Sequence, residues 1–573
     1  MDYLKSVVPS QLVSERGSNL IVINPGSGNV RIGLASQDVP FNIPHCIARY
    51  TNQVPKRTVQ DQMLNSQITT AQHMERERAY DVVASQLKIP FLDEEVANNS
   101  LPRKMGRVDG FNPHNNRKDT AFDWTNVHEK NVKSPAAGES SVNKGSNNES
   151  GDQHDGADAK EPSSSGNSFN QFIIGEEALK ISPAEPYCLR RPIRRGHLNI
   201  SQHYPMQQVL EDLLVIWEWI LIEKLHIPLS ERNMYAAILV VPETFDNREI
   251  KEILSIVLWD LRFSSAVVHQ EGLAAVFGNG LSTACVVNIG SQVTSVICVE
   301  DGVALPSTEK TLPFGGEDIS RCFLWTQRHH QTWPQIRTDV LSKPIDLLML
   351  NSLRESYCEI REGELDAVVV VHSYEADAPV GSHKTRLTAL NVPPMGLFYP
   401  MLLVPDVYPP PPRSWFNDYE DMLEETWQME FPRRSEMQDG FYPAVHAGLP
   451  MWDNYPVFAN KPKKEEKVGL AEAITSSILS TGRIELQKKL FSSIQLIGGV
   501  ALTGGLIPAV LPSRTSPMFV SWKGGAILGI LDFGRDAWLH REDWIKNGIH
   551  IGSGRKYKDS YFLQAQAMCY INS

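Results

Sequence analysis

Two short segments carry residue types and spacings that could bind phosphate. Residues 20–33 read LIVINPGSGNVRIG and residues 284–297 read ACVVNIGSQVTSVI. Each is a buried strand, an Asn-x-Gly-Ser turn and a second strand that opens with valine. A glycine turn between strands can point successive backbone N–H groups into one concavity, which binds an anion. Arg31 adds a cation close to the first turn. Two such turns facing each other would hold a phosphate chain between two lobes.

The similarity of the two segments indicates an internal duplication. A single Gly-Ser turn is more often an ordinary hairpin, and that alternative stays open for either turn alone. The presence of both turns, with further glycine pairs at Gly498-Gly499 and Gly524-Gly525, favours phosphate binding.

The elements that must position these turns alternate along the chain. Residues 236–241 are a predicted strand, residues 247–259 a predicted helix and residues 284–287 another strand. Alternation at this spacing predicts an α/β fold. The longest apolar stretch, residues 209–227, contains four acidic residues and is predicted to be a largely buried helix, not a membrane span.

Composition limits the classes of function. The chain has 573 residues and a formal net charge of −12, so any contact with DNA would need a local basic patch. Its seven cysteines include no Cys-x-x-Cys pair, which argues against a zinc ribbon or disulfide framework and favours a reducing, intracellular compartment. The N-terminal residues lack a secretory signal, and the histidines lack metal-ligand spacing.

Two stretches interrupt the α/β pattern. Residues 103–168 are poor in apolar residues and rich in Ser, Asn, Gly and Asp, so we predict a disordered insertion. Residues 372–467 contain four prolines at 409–412 and then an aromatic and acidic stretch, and are predicted to be a second insertion. The arginines in residues 190–195 lie within the ordered pattern, which favours a structural role over a nucleic-acid patch.

Taken in order, the motifs resemble those of actin and the actin-related proteins. The first glycine segment is similar to the first phosphate loop of that family. VVHQEGLAAVFGNG followed by VVNIGSQVTSVICVEDGVAL is similar to its helix and second phosphate loop, and LPFGGEDIS, LRESYCEI, IQLIGGVALTGG and SWKGGAILGIL follow in family order. PIRRGHLNI and WKGGAIL look more like the long nuclear members of the actin-related protein 8 type than actin itself. The resemblance covers most of residues 19–371 and 488–545.

The resemblance implies an α/β fold of the actin type, a duplicated ribonuclease-H-like ATPase fold with two lobes and large loop insertions. We expect an N-terminal extension over 1–18, a first lobe over 19–285, a second lobe over 286–510, and a return to the first lobe with a C-terminal tail over 511–573. Family members place a helix and a strand after the position of residue 510. The sequence lacks them, which predicts an uncovered surface on the second lobe.

The resemblance also implies a site for ATP or ADP. The matching residues lie in the two phosphate loops, near the nucleoside and in the adjacent turn. Together with Arg31 they are Gly26, Ser27, Gly28, Gly290, Ser291, Gln292, Glu317, Arg354, Glu355, Gly498 and Gly499. Gly498 and Gly499 match the turn. Glu317, Arg354 and Glu355 match positions near the nucleoside.

The centre of the site departs from the family pattern. Where actin begins each phosphate loop with an aspartate that helps to hold hydrated Mg²⁺, this chain has Asn24 and Asn288, and Ser291 replaces a further aspartate. Because Mg²⁺ prefers anionic oxygen ligands, we predict weak or static nucleotide binding, little or no hydrolysis, and poor binding of magnesium. Glu271 replaces the glutamine that positions water, which leaves general-base catalysis as an alternative. Met518 stands where actin has a lysine near the adenine.

The function implied by the resemblance is a scaffold subunit of a nuclear chromatin-remodelling complex, acting in transcription regulation and DNA repair. The implied partners are a helical segment of the remodelling ATPase, actin and other actin-related proteins, and, indirectly, nucleosome or linker DNA, with no membrane. The nucleus is the expected location and the cytoplasm a second one. The alternatives are an active actin-like ATPase or cytoskeletal protein and, less favoured, a small-molecule kinase of the same superfamily.

Overall fold

The computed structural model describes residues 10–51, 69–89, 171–181, 185–341, 343–374, 379–405, 467–506, 515–532 and 537–547. The first predicted insertion, most of the second, and the segment just after residue 510 lie outside the described residues.

The described residues form strands and helices that are mixed along the chain. The strands are β1 Leu20–Pro25, β2 Asn29–Leu34, β3 Phe41–Pro44, β4 Ile47–Tyr50, β5 Phe172–Ile174, β6 Tyr187–Arg190, β7 Ile193–Arg194, β8 His197–Leu198, β9 Ala236–Val241, β10 Ser265–Gln270, β11 Ala284–Ile289, β12 Thr294–Glu300, β13 Val303–Leu312, β14 Ala367–Ser373, β15 Gly381–Leu387, β16 Ile494–Ile497 and β17 Leu539–His540. The helices are α1 Ser10–Gly17, α2 Thr70–Gln86, α3 Glu176–Leu179, α4 Met206–Glu223, α5 Asn247–Ser255, α6 Glu271–Gly278, α7 Gly316–His329, α8 Pro344–Tyr357, α9 Val392–Met395, α10 Leu470–Leu479, α11 Ile484–Phe491, α12 Val520–Ile530 and α13 Arg541–Asn547.

The sheet of the first lobe has the order β17-β10-β9-β1-β2-β3. Its central strand β1 lies parallel to β9 and antiparallel to β2. Ile21 and Ile23 face a core that contains Trp217, whereas Val22 faces a core that contains Trp522. A strand covered on both faces must be apolar throughout, which is why β1 reads as a continuous apolar run.

The sheet of the second lobe repeats this arrangement in the order β13-β12-β11-β16. Its strand β11 lies antiparallel to β12 and parallel to β16. In each hairpin the asparagine is one position before the end of the first strand, with Asn24 opposite Arg31 and Asn288 opposite Ser295. The repeat supports the internal duplication that the sequence indicates.

The predicted α/β class is confirmed, and one predicted boundary is wrong. Residues 236–241 form β9, and the helix predicted at 247–259 is α5 followed by a π-helical turn, Ile256–Asp260. The second insertion does not begin at residue 372, because β14, β15 and α9 continue the lobe and bury Leu387 and Leu390. The segment was missed because β15, GSHKTRL, alternates exposed and half-buried residues without an apolar run.

Helix α2 lies within the sequence of the predicted first lobe but packs on the second. It begins at a capping box in which the side chain of Thr69 accepts a hydrogen bond from the N–H of Gln72. Its buried residues Tyr80 and Val83 belong to the same core cluster as the residues of β11. The chain therefore makes two more crossings between the lobes, one out and one back, than the predicted boundaries suggest.

The surface of the second lobe carries exposed apolar side chains. Ile484, Phe491 and Leu502 are 67%, 46% and 54% exposed, and the uncovered surface predicted from the short segment after residue 510 stays a prediction. None of the described helices is both long enough and apolar enough to cross a membrane.

Candidate nucleotide-binding site

All the residues predicted for the nucleotide site line one cleft between the two sheets. We call residues 24–29 loop 1 and residues 288–293 loop 2. The cleft is also lined by residues that were not in the predicted set, and these include Gly196, Glu243, Thr244, Glu271, Asn288, Asn351 and Met518. The geometry brings the predicted residues together, and their role in binding stays a prediction.

Loop 1 is held by its own lobe. The backbone N–H of His45 donates to the carbonyl of Gly28 at 2.8 Å, and its Nδ1 lies 2.9 Å from the carbonyl of Gly26. Trp217 donates from Nε1 to the Nε2 of His45 at 3.2 Å, so the ring proton of His45 must be on Nδ1 and donates to Gly26. Burial lowers the pKa of His45 to about 4, which keeps the ring neutral.

Loop 2 is held by side chains from outside its hairpin. Ser291 Oγ and Gln292 Nε2 donate to the two oxygens of Glu317, each at 3.0 Å. Arg195 donates from Nη1 to the carbonyl of Gln292 at 2.7 Å, and its backbone N–H donates to Gln292 Oε1 at 2.8 Å. Burial alone would raise the pKa of Glu317, but the charges of Arg191 and Arg321 and the hydrogen bonds from Gln292 and Arg191 lower it to about 2.

One carboxylate joins the two loops at the floor of the cleft. Asn24 Nδ2 donates to Glu271 Oε1 at 2.6 Å and to the carbonyl of Val240 at 2.8 Å. Asn288 Nδ2 donates to Glu271 Oε2 at 2.7 Å, and Arg31 Nη1 donates to Asn24 Oδ1 at 3.1 Å. An aspartate at position 24 would face both a carboxylate and a carbonyl, so this arrangement requires an amide there.

A second buried carboxyl lies beside this bridge. Burial raises the pKa of Glu271 to about 7, and the charge of Glu243 raises it as well, against the hydrogen bonds from the two asparagines. Glu243 itself accepts from the N–H of Gly272 at 2.5 Å and from Ser295 Oγ at 3.0 Å, and burial raises the pKa of Glu243 too. The floor of the cleft is thus a place where negative charge is costly.

The cationic groups of the cleft have unused hydrogen-bonding capacity. Among the described residues, the buried Nε atoms of Arg31 and Arg354 have no hydrogen-bond partner. Burial lowers the pKa of Arg31, because its charge is removed from water. Arg354 Nη2 donates to Glu355 Oε1 at 2.7 Å. Both side chains line the cleft, so their guanidinium charges lie near any anion bound there.

The turn after β16 closes the side of the cleft near loop 2. Gly498 has a φ of +90°, a conformation that glycine adopts readily. A Cβ at this position would lie 2.8 Å from Asn288 Oδ1, so no larger residue fits. Glu317, which was predicted near the nucleoside, has both carboxylate oxygens engaged by loop 2 instead.

The donors of the cleft suit the oxygens of a phosphate chain. Both oxygens of Glu271 already accept hydrogen bonds from asparagine amides. Within the described ranges, no group of three or more His, Cys, Asp or Glu side chains could hold a metal ion. Backbone N–H groups of glycine turns, amides and buried guanidiniums are instead suited to anionic oxygens.

Sequence reasoning named Asn24, Glu271 and Asn288 as departures from the family pattern but missed Glu243 and His45, and the topology explains where most of these residues lie. Asn24, Glu243, Glu271 and Asn288 all lie at or just beyond the carboxyl ends of the strands β1, β9, β10 and β11. Ligands bind at the carboxyl ends of strands in open α/β sheets. The position of Glu243 after a predicted strand was therefore a usable signal, whereas nothing in the spacing pointed to His45 beneath loop 1.

Two duplicated lobes with facing glycine loops define an actin-type nucleotide fold. A family model described as Actin matches residues 16–340, and the chain belongs to the actin family.

Within that family the chain is similar to two kinds of actin-related protein. It is 61% identical to actin-related protein 9 of Oryza sativa subsp. indica and 60% identical to actin-related protein 9 of Arabidopsis thaliana, over 100% of this chain and 100% and 98% of theirs. It is 27% identical to actin-related protein 8 of Bos taurus over 93% of this chain and 91% of that protein. The solved structure of human actin-related protein Arp8 in its ATP-bound state matches with a TM-score of 0.63 and 26% identity, covering 95% of this chain and 97% of that chain. The resemblance to the actin-related protein 8 type is confirmed, and the similarity to the plant actin-related protein 9 is higher still.

Proposed function

We propose that this chain is a non-motor scaffold subunit of a nuclear chromatin-remodelling complex that holds ATP or ADP without magnesium and with little or no hydrolysis. The bridge from Asn24 through Glu271 to Asn288 carries the proposal. Actin has carboxylates on both loops and an amide side chain between them. This chain has amides on both loops, Asn24 and Asn288, and the carboxylate of Glu271 between them. Phosphoryl transfer relies on charge-neutralising metal ions, and the bridge offers them no free carboxylate oxygen.

The support for nucleotide binding comes from the donors of the cleft and from a relative. Arg31 and Arg354 both line the cleft and bring positive charge to it. The human relative was solved in an ATP-bound state. Arg31 beside Asn24 supplies the positive charge that a metal supplies in actin.

The proposed partners are a helical segment of the remodelling ATPase, actin and other actin-related proteins, with nucleosome or linker DNA contacted indirectly. We place the helical segment between the bases of the lobes, as an amphipathic helix in a groove. The test is retention of the purified full-length chain on an immobilised helical segment of the remodelling ATPase, with a scrambled peptide of equal composition as control. Equal retention on both peptides, or none on either, would contradict the scaffold role.

A second candidate is an active ATPase, and one observation favours it. The raised pKa of Glu271, about 7, suits a general base at neutral pH. On that account the wild type hydrolyses ATP with Mg²⁺, and Glu271→Gln lowers turnover by about 100-fold or more. On the scaffold account the wild type and Glu271→Gln both stay at the background rate in the same assay.

A further inference from the structure

The hairpin of β7 and β8 is fixed to the first lobe. The N–H of Gly196 donates to Ser27 Oγ at 3.0 Å, and Thr244 Oγ1 donates to the carbonyl of Gly196 at 2.6 Å. Gly196 has a φ of +76°, and a Cβ there would lie 2.4 Å from Thr244 Oγ1. The turn therefore requires glycine and is tied directly to loop 1.

The same hairpin reaches across the cleft to the second lobe. Arg195 donates from both terminal nitrogens to the carboxylate of Asp318, at 2.5 and 2.7 Å, and both side chains are almost fully buried. Arg191 Nη1 lies 2.6 Å from Glu317 Oε1. Both carboxylates belong to the first turn of α7, whose backbone N–H groups at 316 and 317 donate to the carbonyls of Gly290 and Ser291.

We propose that Arg191, Arg195, Glu317 and Asp318 form an interlobe latch that positions loop 2 and sets the rate at which nucleotide leaves the cleft. Opening the cleft separates the buried pair of Arg195 and Asp318, so Arg195 must leave its carboxylate before it regains water, whereas Asp318 keeps Arg321 of its own helix at 3.3 Å. Opening also withdraws the guanidinium that binds the carbonyl of Gln292. Arg191 and Arg195 are positioning residues, since both act on the site through loop 2. The nucleotide part of this inference rests on the proposed function.

The first test measures nucleotide release from the full-length chain. The protein is loaded with N-methylanthraniloyl-ATP and chased with excess ATP in a stopped-flow instrument. Arg195→Gln should raise the dissociation rate by about tenfold or more, since breaking a buried ion pair is strongly unfavourable. Arg191→Gln, at a less buried position, should raise it less. Arg190→Gln is the matched control, because Arg190 pairs with Asp212 inside the first lobe, and it should leave the rate unchanged.

The second test needs no nucleotide. Hydrogen–deuterium exchange of the nucleotide-free chain should become faster in residues 288–293 in Arg195→Gln and stay unchanged in residues 24–29. General destabilisation would speed both loops equally. If Arg195→Gln does not fold, Arg191→Gln gives the same comparison. Arg195→Gln and Asp318→Asn should combine with less than the product of their separate effects, because both break one interaction.

The outcomes separate the latch from the proposed function. Faster exchange in loop 2 alone supports the latch, whether or not the wild type binds N-methylanthraniloyl-ATP. Failure of the wild type to bind this nucleotide would count against the proposed function only. Unchanged exchange and release in Arg195→Gln, or an equal change in Arg190→Gln, would overturn the latch.

Discussion

Loop 1 and loop 2 have the same local structure and are held in opposite ways. Loop 1 is braced from within its lobe by His45, whose ring is fixed by Trp217. Loop 2 is braced from the other lobe by Arg195, which binds the backbone and side chain of Gln292.

Duplication therefore accounts for the similar hairpins of the two loops but not for the contacts that hold each loop in place. The strand, the asparagine and the glycine turn are repeated in both lobes. The side chains that hold the two loops, His45 and Arg195, differ in residue type and come from unrelated segments. Loop 1 should therefore keep its shape whether the cleft is open or closed. When the lobes separate, loop 2 should lose its contacts from Arg195 and keep those from Glu317 in its own lobe.

The largest expected effect comes from placing an aspartate in loop 1. Asn24 is 1% exposed and bonded to Val240 and Glu271, so Asn24→Asp should lower the free energy of unfolding by about 3 kcal/mol. Asn288 is half-buried, and Asn288→Asp should cost only about 1 kcal/mol. Urea unfolding at pH 7.5 measures both.

A second substitution checks the cause. Glu271→Gln added to Asn24→Asp should recover most of the loss, because the two carboxylates no longer face each other. Equal losses for the two aspartate variants, or no recovery, would show that the bridge does not govern the floor of the cleft.

The next effect is confined to loop 1 and depends on pH. The folded pKa of His45 is about 4 and the unfolded value about 6.5, so the unfolded chain binds more protons between these values and stability falls as pH falls through this window. The loss of folding stability from this one group reaches about 3 kcal/mol at the acid end of the window. His45→Gln should remove that part of the slope in urea unfolding from pH 7 to 4, and a slope equal to that of the wild type would contradict the buried neutral ring.

A smaller effect tests the contact between the loops. A Cβ on Gly28 would lie 2.7 Å from the Cβ of Ser291, so Gly28→Ala should push the loops apart and weaken binding of N-methylanthraniloyl-ATP by about tenfold. Ser291→Gly in the same chain should restore much of the affinity, measured by fluorescence titration. A double variant as weak as Gly28→Ala would mean that the loops do not meet there.

The smallest effect comes from Ser291→Ala, which removes one hydrogen bond to Glu317. Because Gln292 and Arg191 still bind that carboxylate, the loss should be about 0.5–1 kcal/mol in urea unfolding. A loss as large as that for Asn24→Asp would make Ser291, not the arginines, the main support of loop 2.

Local patterns were enough to predict the site's frame. The apolar runs of β1 and β11 and the Asn-x-Gly-Ser turns placed Gly26, Gly290 and their neighbours, because a strand and its turn are encoded in adjacent residues. The braces could not be predicted in this way. Arg195 and Asp318 are 123 residues apart, and neither residue type nor spacing relates them. The packing of α2 was missed for a similar reason. The periodicity of a helix predicts which of its faces is buried, but it does not predict which lobe covers that face.

The central claim is that the cleft holds a nucleotide without magnesium and does not consume it. The most direct measurement is chromatography of the nucleotide released by denaturing the purified full-length chain, before and after incubation with EDTA and then with Mg²⁺. We predict ATP or ADP that persists through EDTA and does not change from ATP to ADP when Mg²⁺ is added. Loss of the nucleotide on EDTA treatment, or steady conversion of ATP to ADP with Mg²⁺, would contradict the account and make Glu271 the residue to explain.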